Sequence, residues 1–348
     1  LLSYLHNSRV VFLVGNGVQK YSTGHFVLRA IDSLAATLGL FGKEGCGVSY
    51  LGNSKLGLEN PFSVKCKHVS KVTTAFGDFK TVLVQGGNPA ESMPDSSRVI
   101  EELEKVENLI YFGLYENETS KRARIVIPAK SFFEKEDVRL SYGHHNVSRM
   151  NRVMEGEFGI SEYDFTREMF KRLELDGLRD ERYYIDFWLD QCEKNEEGYR
   201  SPAYAPHPYS DGFGEACDDE FVFIDDFYDD FESLKHLRKY RKLSDKKTKK
   251  AEYWLLTPKA KHALNTQFKR DNRVEMHPNL GYVTNERVII SSKYGSHEFI
   301  VRTSFDLRSD CVLITANTIG VNFLTPSIIS EEGENASYQE VKVVIETP

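Results

Sequence analysis

The feature that most constrains this 348-residue sequence is a repeated order of short apolar runs, glycine turns and helical segments. Four apolar runs of strand length occur in the first part of the chain, at residues 9–15, 78–87, 109–112 and 125–128. Segments with helical spacing or a helix cap follow at residues 25–39, 95–105 and 162–193. Strands that alternate with helices predict an α/β fold with a parallel, Rossmann-like sheet and right-handed crossovers.

The last hundred residues follow a different pattern. Short β-rich runs are separated by turn-forming residues, and the runs lie at 253–256, 287–291, 298–303, 311–315 and 340–345. Regular short strands of this kind predict a closed or partly closed β-barrel. The sequence thus predicts an α/β domain at residues 1–200 and a barrel domain at residues 251–348.

The segment between these two parts, residues 201–250, is strongly charged. Residues 215–232 contain nine acidic residues, and residues 235–250 contain nine lysines and arginines. Adjacent blocks of opposite charge are typical of a solvated connection, so we interpret residues 201–250 as a charged linker.

Composition excludes several classes of function. With 45 basic and 52 acidic residues the formal net charge is −7, which argues against nucleic acid as the principal partner. No uncharged apolar run approaches the ~20 residues of a membrane helix.

The five cysteines contain no C-x-x-C pair, which indicates a reducing compartment and a cytoplasmic location, with periplasmic export left open. The chain begins at Leu1 with no secretory signal, so we expect it to start partway through a longer protein.

Two glycine turns are the best candidates for a ligand site. Gly15 and Gly17 flank Asn16 after the first strand, and Gly86 precedes Asn88 after the second. Glycines let backbone N–H groups approach a phosphate, ligands bind beyond the carboxyl ends of parallel strands, and an asparagine side chain can hydrogen-bond a polar ring edge. A strand followed by glycines is equally a purely structural turn, and neither turn is a P-loop because no G-K-[ST] follows.

Further along, His262 and Asn265 are three residues apart and would share a face on one helical turn. They are candidates either for helix caps or for ligands. No catalytic residue and no metal ligand can be assigned from the sequence.

Taken together, these segments resemble the molybdopterin oxidoreductase family, which includes dimethyl sulfoxide reductase and formate dehydrogenase. In the first part, the similarity lies in the strand, glycine turn and helix of residues 11–35, the glycine-rich turn 38–47, the "GxNP" turn 86–90, and the "ET" and "LPa…fEke" segments at 118–119 and 123–136. In the last part it lies in residues 256–266, 276–278, 288–295 and 317–325.

The resemblance implies an α/β domain followed by a double-psi-type barrel that together bind a molybdopterin guanine dinucleotide with Mo or W. The chain would be the C-terminal portion of a bis-pterin oxidoreductase, with a small-molecule redox substrate and possible electron-transfer subunits as partners. The implied cofactor-binding residues are Gly15, Gly17, Gly86, Asn88, Thr257, His262, Asn265 and Asn322. The metal ligand and a [4Fe–4S] cluster are expected only in an N-terminal half before Leu1, so this chain alone should not turn over.

Two departures from the family pattern keep an alternative open. Arg124 stands where the family has an aspartate, and Asn285-Glu286 replaces its Gly-Asp. The alternative is a metal-free scaffold or electron-transfer subunit that resembles the large subunit of respiratory NADH:quinone oxidoreductase. A stand-alone nucleotide-binding or assembly module is the third hypothesis.

Overall fold

The computed structural model describes residues 2–5, 9–51, 57–62, 66–196, 198–214, 218–223, 252–268 and 271–348. The chain begins with a short helix, α1 (Leu2–Leu5). The basic block and most of the acidic block of the charged segment lie outside the described residues.

The first part contains the predicted parallel strands. One sheet pairs β1 (Val11–Val14) with β2 (Gly47–Tyr50), and a second has the order β3-β4-β5, from Thr81–Gln85, Asn108–Gly113 and Ile125–Pro128. Helices connect these strands: α2 (Gly24–Thr37), α3 (Pro89–Ser92) and α4 (Ser96–Glu104). The prediction of an α/β fold with parallel strands is therefore confirmed.

The predicted cap of α4 is also present. The Asp95 carboxylate accepts a hydrogen bond from the Arg98 N–H at 3.4 Å and so satisfies one of the amides that a helix start leaves unpaired. α4 packs its apolar side against β3 and β4, with Val99 and Leu103 fully buried beside Leu109.

An antiparallel sheet follows, which the sequence did not predict. Its order is β6-β7-β9-β8, from Asp137–Arg139, Asn146–Met150, Gly198–Arg200 and Glu193–Asn195. The helical prediction for residues 162–193 is wrong in extent: α5 (Glu162–Arg172) and α6 (Glu181–Asp190) are separate, and residue 193 already begins β8. Glu174 and Gly177 interrupt the helix with φ values of 53° and 95°, which lie in the left-handed region.

The last part is a closed six-stranded barrel in the order β10-β14-β11-β13-β12-β15. Its strands are β10 (Tyr253–Leu256), β11 (Arg273–Met276), β12 (Arg287–Ser291), β13 (Ser296–Thr303), β14 (Cys311–Leu313) and β15 (Lys342–Glu346). Five of the six strands were predicted; β11 was not. Alternate residues point inward, so that Val288 and Ile290 of β12 are fully buried against Phe299 of β13.

Hydrogen bonds join the barrel to the α/β part. The Arg29 guanidinium donates to both carboxylate oxygens of Glu332, at 2.8 and 2.9 Å. The Ser22 hydroxyl donates to Glu340 at 2.6 Å. These contacts hold the loops that precede β15 against the start of α2, and a cleft opens beside them.

Candidate functional site

An open cleft of about 1130 Å³ lies between the α/β part and the barrel, and we call it the central cleft. The turn after β3 contributes Gly86, the end of β4 contributes Gly113, and the turn after β1 contributes Asn16. Asn265 and Tyr338 line it from the barrel. The carboxyl ends of parallel strands therefore open into this cleft, which is where open α/β sheets bind ligands.

Gly86 gives the cleft a wall without side chains. Its φ is +60°, and its N–H donates to the carbonyl of Phe112 at 2.9 Å, which ties the turn to β4. A Cβ at this position would meet nothing within 4 Å, because the residue faces open space. A ligand can therefore approach the backbone here.

The Asn88 side chain holds the turn after β3 in place, and its amide is not free to bind a ligand in the cleft. It is 6% exposed, and its side-chain oxygen accepts from the N–H and hydroxyl of Thr119, at 3.3 and 2.9 Å. Its NH₂ group donates to Glu91 at 2.6 Å and to the Thr266 hydroxyl at 3.1 Å. Four hydrogen bonds to three residues satisfy the amide. The side chain thus connects the turn after β3, the "ET" segment and a barrel loop.

The turn after β1 has room on its outer side. Gly15 and Gly17 are exposed, a Cβ on either would meet nothing within 4 Å, and Asn16 between them lines the central cleft. Gly24 has a structural role instead: a Cβ there would lie 2.0 Å from the carbonyl oxygen of Val18. The start of α2 therefore requires a glycine for close packing.

The barrel candidates are less closely grouped. Asn265 lines the central cleft with a φ of +52° and accepts a hydrogen bond from the Lys259 ammonium at 3.0 Å. Thr257 is buried, and its hydroxyl accepts from the Gln339 amide at 2.8 Å. His262 is exposed and does not line the cleft. The chain from 257 to 264 forms no helix, so the expectation that His262 and Asn265 share one helical turn is wrong.

Asn322 lies in a second cavity, of about 410 Å³. Its NH₂ group donates to the carbonyl of Glu91 at 2.6 Å, and its oxygen accepts from the Thr325 hydroxyl at 3.2 Å. Asn322 therefore fixes the barrel loop against α3, a few residues from Asn88. The fold brings Gly86, Asn88 and Asn265 into one cleft with Asn16. The other predicted site residues do not line that cleft, and they are Gly15, Gly17, Thr257, His262 and Asn322.

Sequence reasoning missed the lysines of the central cleft. They come from distant parts of the chain, and they are Lys20, Lys71, Lys130, Lys135 and Lys259. Lys135 forms an ion pair with Glu162, which also lines the cleft. Burial lowers the pKa of Lys20, and the charges of Lys71 and Lys259 lower it further. The cleft is therefore electropositive near Lys20.

The departures from the family pattern have local structural explanations. Asn285 adopts a φ of +72°, so it retains the left-handed conformation that glycine would supply, and its N–H donates to the carbonyl of Val301 at 2.8 Å. The Arg124 guanidinium donates to the Asn108 side chain at 2.9 Å.

Neither a metal cluster nor a membrane helix is found in the part of the chain that the structure describes. No group of three or more His, Cys, Asp and Glu side chains there could hold a metal ion. Likewise, none of its helices combines the length and the apolar character that crossing a bilayer requires.

Comparison with known proteins identifies the family of the α/β part. Residues 3–170 match the family model of the molybdopterin oxidoreductases. The probable oxidoreductase YyaE of Bacillus subtilis is 25% identical over 177 residues, which are 46% of this chain and 26% of that protein. The dimethyl sulfoxide/trimethylamine N-oxide reductase of Rhodobacter capsulatus is 28% identical over 138 residues, which are 37% of this chain and 17% of the reductase. The aligned region is thus a small share of these curated relatives.

A solved structure agrees on the fold. Acetylene hydratase from Pelobacter acetylenicus superposes with a TM-score of 0.53 over 77% of this chain and 44% of its own, at 11% identity. At that identity the similarity shows the fold alone. The family model, the reductase relatives and the shared fold agree with the motif order, and they support the molybdopterin oxidoreductase family.

Proposed function

We propose that this chain is the cofactor-binding C-terminal portion of a molybdenum or tungsten bis-pterin guanine dinucleotide oxidoreductase. The central cleft is the dinucleotide site in this proposal, and its walls shape the path of the substrate. The two parts of the chain act as two domains, a Rossmann-like α/β domain and a double-psi-type barrel, on either side of the cofactor. Family membership and the position of the cleft support this function.

The single observation that carries the proposal is the chemistry of the central cleft. A glycine turn with positive φ at Gly86 leaves one wall bare, and Lys20 and Lys259 place positive charge nearby. Asn16 and Asn265 add neutral amide groups. A dinucleotide needs backbone access, positive charge for its phosphates and polar groups for its rings, so the residues present fit the group.

Roles within the chain follow from the hydrogen bonds. Asn88 positions the turn after β3, because its amide is fully hydrogen-bonded to the protein. Asn265 contacts ligand directly in the proposal, and Gly86 provides close backbone approach in the cleft wall. Gly15 and Gly17 have this role in the adjoining turn, on either side of Asn16. The metal–pterin group, when bound, supplies the two-electron redox chemistry, while the protein supplies binding, orientation and electrostatics.

The test measures bound cofactor and does not depend on turnover. The full-length protein, expressed in a host that makes molybdopterin cofactors, should contain molybdenum or tungsten by elemental analysis and should release a pterin and guanosine monophosphate on acid hydrolysis. The variant Gly86→Asp should lose most of the cofactor, because it adds a carboxylate to the cleft wall where phosphates would lie.

Gly177→Asp is the matched control. Gly177 also has a positive φ, of +95°, and a Cβ there also meets nothing within 4 Å, but the residue is outside the cleft. Aspartate tolerates the left-handed conformation, so both variants carry similar backbone strain. Equal cofactor loss in the two variants would contradict the proposed site. A wild-type protein that contains the pterin without metal would favour the metal-free scaffold function.

A further inference from the structure

Three lysines from separate segments meet in the central cleft. Lys20 ends the 3₁₀ helix that follows β1, Lys71 lies in a turn before β3, and Lys259 follows β10 of the barrel. We propose that these residues, the lysine triad, form a binding site for a diphosphate group. The site is assembled by the fold, because its members are 51 and 188 residues apart in sequence.

The first argument is the lack of a counter-charge. Among the described residues, no carboxylate oxygen lies within 4.0 Å of an ammonium group of the lysine triad. Lys135, in the same cleft, shows the contrast because it is paired with Glu162. Like charges that lie close together repel each other, and an anion bound among them would interact favourably with all three.

The second argument is that contacts with the protein position two of the three lysines. The Lys259 ammonium donates to the Asn265 side chain at 3.0 Å. Lys20 is half-buried, its ammonium lies 6.0 Å from the centre of the Tyr338 ring, and its carbonyl accepts from the Tyr338 N–H at 3.0 Å. Lys20 and Lys71 interact electrostatically, since the charge of Lys71 lowers the pKa of Lys20. A pre-formed positive site pays less ordering entropy when a ligand binds.

The third argument concerns the class of ligand. Ammonium groups bind phosphate as compact point charges, and three of them match the charge of a diphosphate better than that of a single carboxylate. Asn16 and Gln19 line the cleft next to Lys20 and add neutral donors for further phosphate oxygens. The anion site stands on these contacts alone, whereas its assignment to the diphosphate bridge of a dinucleotide cofactor rests on the proposed function.

Inorganic pyrophosphate is the probe that tests the site. Titration calorimetry of the full-length protein, purified without cofactor at low salt, should show binding. Each of Lys20→Met, Lys71→Met and Lys259→Met should weaken the affinity about tenfold, because each variant removes one charge-assisted contact to the phosphate oxygens. The corresponding arginine variants should retain most of the affinity, because they keep the charge.

Lys293→Met is the matched control. Lys293 is an exposed barrel lysine outside the cleft whose ammonium lies over the Tyr294 ring at 4.8 Å, and its substitution changes the net charge by the same amount. Its affinity for pyrophosphate should change less than about twofold. Unchanged affinity in all three triad variants, or an equal loss in Lys293→Met, would overturn the proposal. Thermal unfolding of each variant establishes that it is folded.

Cofactor-loaded protein distinguishes the source of the phosphate. If the lysine triad binds the diphosphate of a dinucleotide, loading should abolish pyrophosphate binding, and the triad variants should lose cofactor. Pyrophosphate binding that persists in loaded protein would overturn the dinucleotide assignment and support a site for a free oxyanion. The protein could bind pyrophosphate through the lysine triad and yet contain no pterin after expression in a host that makes the cofactor. That result would support the anion site and contradict the proposed function.

Discussion

The barrel and the parallel sheets of the α/β part bury their strands to very different degrees. All six barrel strands have a neighbour on both sides and enclose thirteen buried apolar residues, among them Phe299 and Leu255 at 0% exposure. In the parallel sheets, by contrast, Leu13 of β1 is 72% exposed, and Val126 of β5 is 49% exposed. Parallel sheets are normally covered on both faces. The difference teaches that, within the described residues, the barrel completes its own core whereas the parallel sheets do not.

The largest expected effect is in the barrel core. Phe299→Ala should lower the free energy of unfolding of the barrel by about 3–5 kcal/mol, because it removes a fully buried ring and leaves a cavity. Leu13→Ala should change the free energy by less than about 0.5 kcal/mol, although it also removes an apolar side chain from a strand.

The two tryptophans make this comparison measurable. Trp254 lies in β10 of the barrel, and Trp188 lies in α6. Urea unfolding followed by fluorescence in a Trp188→Phe background reports on the barrel, and a Trp254→Phe background reports on the α/β part. If Phe299→Ala shifted both transitions equally, the two regions would unfold as one unit and the comparison would fail.

Local patterns predicted much of the fold. Short β-rich runs between turn-forming residues identified five barrel strands, and the glycine turns identified the ends of β1 and β3. The Arg-Val-Glu-Met of β11 has charged residues at two of its four positions, whereas β10, which has the same length, is the continuous apolar and aromatic run Tyr-Trp-Leu-Leu. The strands β6, β8 and β9 have three residues each, of which at most one is apolar or aromatic, so they contain neither a periodic pattern nor an apolar run.

The candidate site was only partly predictable. Gly86, Asn88 and Asn265 were predicted and do meet at the central cleft. The hydrogen bonds of Asn88 could not be predicted, because Thr119 and Thr266 reach it from 31 and 178 residues away. Lys20 and Lys71 carried no signal in the sequence, since their proximity depends on how three segments pack.

The second prediction compares thiols from the two regions. Burial and the hydrogen bond to Asp310 raise the pKa of Cys311, in β14, to about 11. At pH 8 about one such thiol in a thousand is ionised, and only the thiolate reacts with alkylating reagents. Cys66 in the α/β part is exposed. We therefore expect iodoacetamide to label Cys311 on the order of 100-fold more slowly than Cys66.

Peptide mapping by mass spectrometry after timed labelling measures both rates in one sample. Labelling in urea is the control, because unfolding should bring the two rates together. Rates within about threefold of each other in the native protein would mean that the barrel opens as readily as the α/β part, which contradicts the difference in burial.

The third prediction concerns the connection between the regions. Asn88→Ala should destabilise the protein by about 1–3 kcal/mol, because it leaves the buried hydroxyl of Thr119 without its partner at 2.9 Å and breaks the link to Thr266. Asn60→Ala is the control, since the exposed Asn60 accepts only a local hydrogen bond, from the Phe62 N–H at 3.0 Å.

The two tryptophan backgrounds again provide the measurement. Asn88→Ala should move the Trp188 transition most, and it should move the Trp254 transition less because the barrel core is intact. A loss of stability confined to the barrel transition would show that the barrel needs the link to Thr266. That outcome would contradict the inference that the barrel completes its own core.

The smallest expected effect belongs to the ion pair at the same junction. Arg29 in α2 donates twice to Glu332, but the two side chains are 27% and 53% exposed. Water and salt screen such a pair, and ordering two long side chains costs entropy, so the coupling energy should be about 0.2–1 kcal/mol. A double-mutant cycle with Arg29→Gln and Glu332→Gln, repeated at low and high salt, should show the coupling shrink as salt rises. A larger coupling that is independent of salt would mean that the pair is desolvated and that the α/β part and the barrel are joined more rigidly than their exposed contact implies.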